Sequence, residues 1–302
     1  MNKKMKYIVL FGILFGTILT AFVSVPSVFA DSEPKEQYLV LGEDLKDSEK
    51  ETVLEILGVE DINDYNVTYT THEDEVKYLG NYLDASVIGT RALSSVLITK
   101  TEKDSGIAIT TVNINYCTQE MYRNALITAG VKDINAKIAG PFSISGTAAL
   151  ASMMKSYELI TGESLDETAM DVANNELVTT AELSDRIGNE KATELVAALK
   201  QELFEKNDVT LKNIDDAIDT LSSNMDVSLS ETEKEKLVDL MAEIDKVDID
   251  VDAIKTQAGE LYNTIKNISH KIGDKQNVIE SIGSFFGNII NSIVDFFKGL
   301  FG

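Results

Sequence analysis

Cysteine is nearly absent from the 302 residues, with Cys117 the single copy. No internal disulfide can form, so an exported chain of this sequence is held together by burial alone. Nor does a cysteine stand near residue 30 to accept a lipid. Histidine is almost as scarce. His72 and His270 are far apart, and without a His-Glu-x-x-His pair no helix carries two zinc donors on one face. No resident metal and no cofactor is therefore expected. Positive charge is the third shortage: Lys and Arg number 27 against 50 Asp and Glu, a formal net charge of −23. Beyond residue 30 no Lys/Arg cluster interrupts that acidity, so nucleic acid is not expected as a partner. The charge favours solubility and weak association with divalent cations, and says nothing about fold.

What is present begins with Lys3, Lys4 and Lys6, an apolar run from Tyr7 to Val23, then Pro26 and Val28-Phe29-Ala30. The pattern predicts a secretory signal peptide over residues 1–30. An uncleaved anchor stays open as the alternative, because the apolar run is long for a signal. Beyond residue 30, 24 basic residues face all 50 acidic ones, a formal charge of −26. The expected setting is secreted or extracellular, in association with the cell envelope. The length suits two domains, and 44% hydrophobic content suits a packed core.

Residues 31–142 predict an α/β domain. Gln37 to Gly42 reads as a strand, and the helix after it carries a capping box, Ser48 with Glu51, and a stop at Gly58. Val67 to Thr71 is a β-branched strand, followed by helical spacing from Glu73 to Leu83 behind an acidic first turn at His72. Two β-rich runs, Arg91 to Thr101 and Ile107 to Tyr116, are separated by five polar residues ending in Gly106, which signals a hairpin. Cys117 reads as a small strand residue at its end. Thr118 caps a helix closed by Gly130, and a strand from Ile134 to Ala139 follows. Pro141 has no N–H for a central ladder and is expected to end that strand.

Gly89-Thr90-Arg91-Ala92, Gly106-Ile107 through Asn113, Met121 through Gly130, and Gly140-Pro141-Phe142 through Leu150 together resemble the YpuA-like family of predicted secreted proteins. The resemblance covers residues 35–270. It implies export and an envelope setting, and it supplies no catalytic residues.

Residues 143–275 predict an all-α helical bundle. Helices are expected over 146–160, 165–174, 180–187, 190–206, 211–225, 231–247 and 253–272, with apolar positions recurring at three and four. Residues 276–302 predict an amphipathic helix of a different kind. Ile282, Phe285, Phe286, Ile289, Ile293, Phe296, Phe297 and Leu300 lie on its apolar face, while Glu280, Asp295 and Lys298 are its only charges. Such a face lies on a membrane surface, docks into the protein itself or self-associates. The fold class is α+β: a layered α/β sheet, a helical bundle and this C-terminal helix.

Chemistry concentrates where strand meets helix, at Ser143-Ile144-Ser145-Gly146-Thr147. Ser143, Ser145 and Thr147 are capping types, expected to aim the first bundle helix off the sheet. The segment also has half of a nucleophile elbow, with Ser143 where the first glycine belongs, and His270 as the available downstream base. A third use is anion capture by Ser143, Ser145, Gly146 and Thr147 at a helix N-terminus, with Arg91 or Arg123 completing the charge. Asp248-x-Asp250-x-Asp252 lacks the glycine and glutamate of a calcium loop and reads as an acidic linker. The reading preferred from the sequence is an envelope binding or interaction protein that makes contact through residues 276–302. An anion-binding module or hydrolase at Ser143–Thr147 is the alternative.

Overall fold

Leu39, Val40, Leu41 and Gly42 are all buried, so side chains on both faces of the first strand are covered. The structure, a computed structural model, describes residues 37–206, 209–247, 250–252, 254–256, 258, 259 and 263. The signal peptide expected over 1–30 and the helix expected over 276–302 lie outside the described residues.

Five strands form one sheet: β1 (Gln37–Gly42), β2 (Asn66–Thr70), β3 (Ser95–Lys100), β4 (Ile107–Ile114) and β5 (Ile134–Ile144), in the order β2-β1-β3-β5-β4. β1 pairs with β2 and β4 with β5 in parallel, while β3 runs antiparallel to β1 and β5. Four strands therefore point one way and end at a common edge. The expected hairpin between β3 and β4 does not form, because β5 lies between them. Ile134, Ala136, Ile138, Ala139 and Gly140 of β5 are buried, which suits a strand flanked on both sides. β4 alternates buried Ile107 and Ile109 with half-buried Ala108 and Thr110, which suits an edge.

Nor does Pro141 end its strand. Pairing with β3 stops at Ala139, and beyond it β5 meets only β4, across an irregularity between Val112 and Ile114. There the missing N–H removes no bond to a second neighbour. Asn113, at φ 60°, donates from its side chain to the Gly140 carbonyl at 3.0 Å and holds the irregular stretch.

On one face α1 (Asp47–Leu57) packs Val53 and Leu57 against Leu39, Leu41, Leu97 and Ala139. Its box begins at Lys46, whose N–H donates to Glu49 at 2.9 Å, and not at Ser48. α2 (His72–Leu79) is capped by Thr71, and α3 (Ala85–Ile88) follows it. α4 (Gln119–Thr128) is capped by Thr118, with Cys117 in the bend before it and not in a strand. α5 (Ala148–Thr161) lies back across β1 and β3, so it is not aimed off the sheet.

α6 (Glu167–Ile187), α7 (Asn189–Lys206), α8 (Leu211–Asn224) and α9 (Glu231–Ile244) follow. Two short helices were expected where α6 runs unbroken. Its mid-helix polar side chains turn back on their own helix: Asn174 donates to the Met170 carbonyl at 2.8 Å and Thr180 to the Glu176 carbonyl at 2.7 Å. One apolar core runs from Val40, Val96 and Ile98 of the sheet through Leu150, Leu177 and Leu199 to Ile254. Sheet and helices share it, in an α+β fold.

Candidate functional site

Open α/β sheets bind ligands beyond the carboxyl ends of their strands, so the edge where β1, β2, β4 and β5 end is where chemistry is sought. After β4 the chain stays beside β5: the Asn115 N–H donates to the Ile144 carbonyl at 2.9 Å and the Cys117 N–H to the Ser145 carbonyl at 3.2 Å. Gly146 then turns with φ +86°. A Cβ there would stand 2.4 Å from the Tyr122 hydroxyl and 2.5 Å from Ile114 Cγ2, so glycine is required by space as well as by φ. The fully buried Tyr122 donates its hydroxyl to the Gly146 carbonyl at 2.5 Å.

Thr147 holds the position before α5, but its own φ of −56° and ψ of −39° are already helical, and its hydroxyl does not cap. It donates instead to Glu75 Oε1 at 2.5 Å, and the Ala148 N–H bonds the same carboxyl. Glu75 comes from α2 and is 3% exposed. Burial pushes its carboxyl up, against the bonds from Thr147 and Ala148 and the nearby His72. Burial likewise pushes the Cys117 thiol up to about 12 and the Tyr122 hydroxyl well above its ordinary value. The thiol is therefore neutral, and the hydroxyls of Thr147 and Tyr122 already donate within the fold.

The fold brings Ser145, Gly146 and Thr147 together, with Ser145 Oγ 3.3 Å from Thr147 Oγ1, while Ser143 is exposed at the end of β5. Neither serine caps α5. Arg91 is not part of this group: it pairs with Glu49 and donates to the Asp44 carbonyl at 2.7 Å. Arg123 lies in α4. His270 lies outside the described residues, as do Ile282, Phe285, Phe286, Ile289, Ile293, Phe296, Phe297 and Leu300. The Thr147 hydroxyl and the Ala148 N–H at this helix N-terminus are taken up by the chain's own carboxyl, Glu75. Sequence reasoning missed Glu75 and Tyr122 and read His72 only as the start of a helix, since nothing in the spacing between positions 75 and 147 signals contact.

A second polar group is sealed between α4, α6 and α7. Lys200 Nζ donates to Thr128 Oγ1 at 2.7 Å, to the Asn124 carbonyl at 2.8 Å and to Glu176 Oε1 at 3.0 Å. Burial pushes the Glu176 carboxyl up and the Lys200 amine down, and their mutual attraction opposes both. On the surface, a groove of about 440 Å³ is lined by Asp215, Asp219, Glu231, Glu235 and Asp239 with Lys234. Among the described residues no group of three or more His, Cys, Asp or Glu side chains is placed to hold a metal ion. Of the acidic run at 248–252, Asp250 faces Lys132 and Asp252 faces Lys255, each at 3.4 Å. Among the described residues no helix is long and apolar enough to cross a membrane.

Sheet, joint and helices together define an α+β protein whose central polar groups are buried and largely paired. The chain belongs to the family described as "Protein of unknown function (DUF1002)", whose model matches residues 41–261. It is 39% identical over 289 residues to "Uncharacterized protein YpuA" of Bacillus subtilis (strain 168), a match covering 95% of this chain and 98% of that one. The YpuA-like resemblance seen in the sequence is thus shown. No solved structure matches the chain.

Proposed function

We propose that the protein is exported and acts at the cell envelope by binding, with residues 276–302 making the contact. The composition of that segment carries the reading. In 27 residues it holds three charges, against 28 acidic and 13 basic residues over 143–275, and its large apolar residues recur at helical spacing. The basic start and apolar run of residues 1–30 support export. At the Ser143–Thr147 joint Glu75 already engages Thr147 and the Ala148 N–H, which weighs against an anion or a substrate being held there. The acidic surface adds weak attraction for divalent cations.

Deleting residues 276–302 tests the reading. The expected result is a shift from the cell-associated to the soluble fraction, or a smaller oligomer by light scattering. Unchanged fractionation together with an unchanged oligomeric state would overturn it.

A further inference from the structure

Residues 71–90 are attached to the rest of the fold through a small apolar cluster apart from the main core. Leu79, Leu83 and Ile88 form a small cluster of their own, to which the bundle contributes the single buried residue Val178. The main core does not include them. Val76 on the same helix is 46% exposed. Two polar ties hold the stretch down: Glu75 to Thr147, and the Tyr82 hydroxyl to Asp171 of α6 at 2.7 Å. At one end Thr70 meets Ser152 at 2.5 Å, and at the other Gly89 sits at φ +82°, where the chain turns toward β3.

We propose that residues 71–90 form a strap that opens as a unit from the N-terminus of α5, and that ionisation of Glu75 drives the opening. The groups facing Glu75 give the direction. On its own helix stands His72, whose Nδ1 is buried and unpaired. α5 contributes the Thr147 hydroxyl and the Ala148 N–H. From α4 and the bend before it come Tyr122 and Cys117, both of which ionised Glu75 disfavours as anions. α6 sends Asp171 to Tyr82. Asp74, the neighbour of Glu75, is held by Thr71, with Lys155 and Lys77 close by. No full cationic partner with a direct bond to Glu75 is among these groups, so charging it puts an anion where burial disfavours one. In the open state the same carboxylate is in water. Opening therefore grows as pH rises, by up to about tenfold per pH unit between the open and closed pKa values of Glu75.

The chain carries its own reporter. Cys117 is the single cysteine, is 2% exposed, and is close enough to Glu75 to feel its charge. Its labelling by 4,4′-dithiodipyridine, measured on the full chain from pH 4.5 to 8 and divided by the rate for the urea-unfolded chain, reads the opening. The expected result is a several-fold rise with pH in the wild type, a flat profile in Glu75→Gln, and faster labelling that keeps its pH dependence in Tyr82→Phe. A flat wild-type profile would overturn the proposal. So would a pH rise that survives in Glu75→Gln, or a labelling free energy equal at every pH to that of global unfolding.

Discussion

Lys200 and Glu176 meet at 3.0 Å with side chains 0% and 1% exposed, a buried ion pair joining α7 to α6 inside the apolar core. Thr128 and Asn124 of α4 complete its hydrogen bonds, so three helices share one polar point. Removing one partner leaves the other charge buried and unmatched, whereas removing both does not.

Lys200→Met is therefore expected to cost about 3–5 kcal/mol. The double variant Lys200→Met, Glu176→Leu should lose distinctly less than either single change. Urea unfolding followed by circular dichroism checks the order, and additive losses would contradict it.

At the joint, hydroxyls that share a sequence neighbourhood differ in weight. Ser143→Ala and Ser145→Ala should each stay within about 0.5 kcal/mol of wild type, since neither caps α5. Thr147→Val removes the donor to buried Glu75 and should cost about 1–3 kcal/mol. Thermal melts of the three variants, with Thr147→Ser as the variant that restores stability, decide it.

Gly146→Ala should destabilise by more than about 1 kcal/mol from the left-handed backbone alone, before the contacts with Tyr122 and Ile114 are counted. Tyr122→Phe removes the hydroxyl that an added Cβ would meet, so the pair should lose less together than the sum of the singles. A double-variant cycle in urea measures the coupling.

Acid should destabilise the protein through three carboxylates. The bond from Arg91 holds Glu49 below its ordinary value. Burial pushes Asp74 and Glu233 up, but Thr71 in one case and Arg186 with Ser230 in the other hold both low. A depressed folded pKa gives stability that is present above the unfolded value, near pH 4, and is lost as pH falls through the folded one. Glu75 runs the other way: its raised carboxyl gives stability that is present at low pH and lost as pH rises through its folded value. Glu75→Gln should thus melt above wild type at pH 7.5, with the difference closing toward pH 4. An equal difference at both pH values would contradict this assignment.

Much of the fold was legible locally. Thr118 and Gly58 mark helix ends where the sequence places them, because capping and left-handed turns depend on a few neighbouring residues. The break expected within α6 was misread for the same reason: Asn174 and Thr180 look like punctuation until their bonds to carbonyls four residues back are seen. The candidate site was half legible. Ser145, Gly146 and Thr147 do gather at the strand-to-helix turn, yet the group that engages Thr147 comes from a helix 72 residues earlier.

By itself the sequence determined the α+β class, the family, the order of most elements and the low count of groups able to do chemistry, all of which depend on composition and short-range spacing. Tertiary structure alone decided that β5 inserts between β3 and β4, that Pro141 is tolerated beyond the last pair with β3, and that the Glu75 carboxyl meets the N-terminus of α5. Strand order and burial depend on contacts between distant segments. The periodicity of a segment states which face it buries, and not against what.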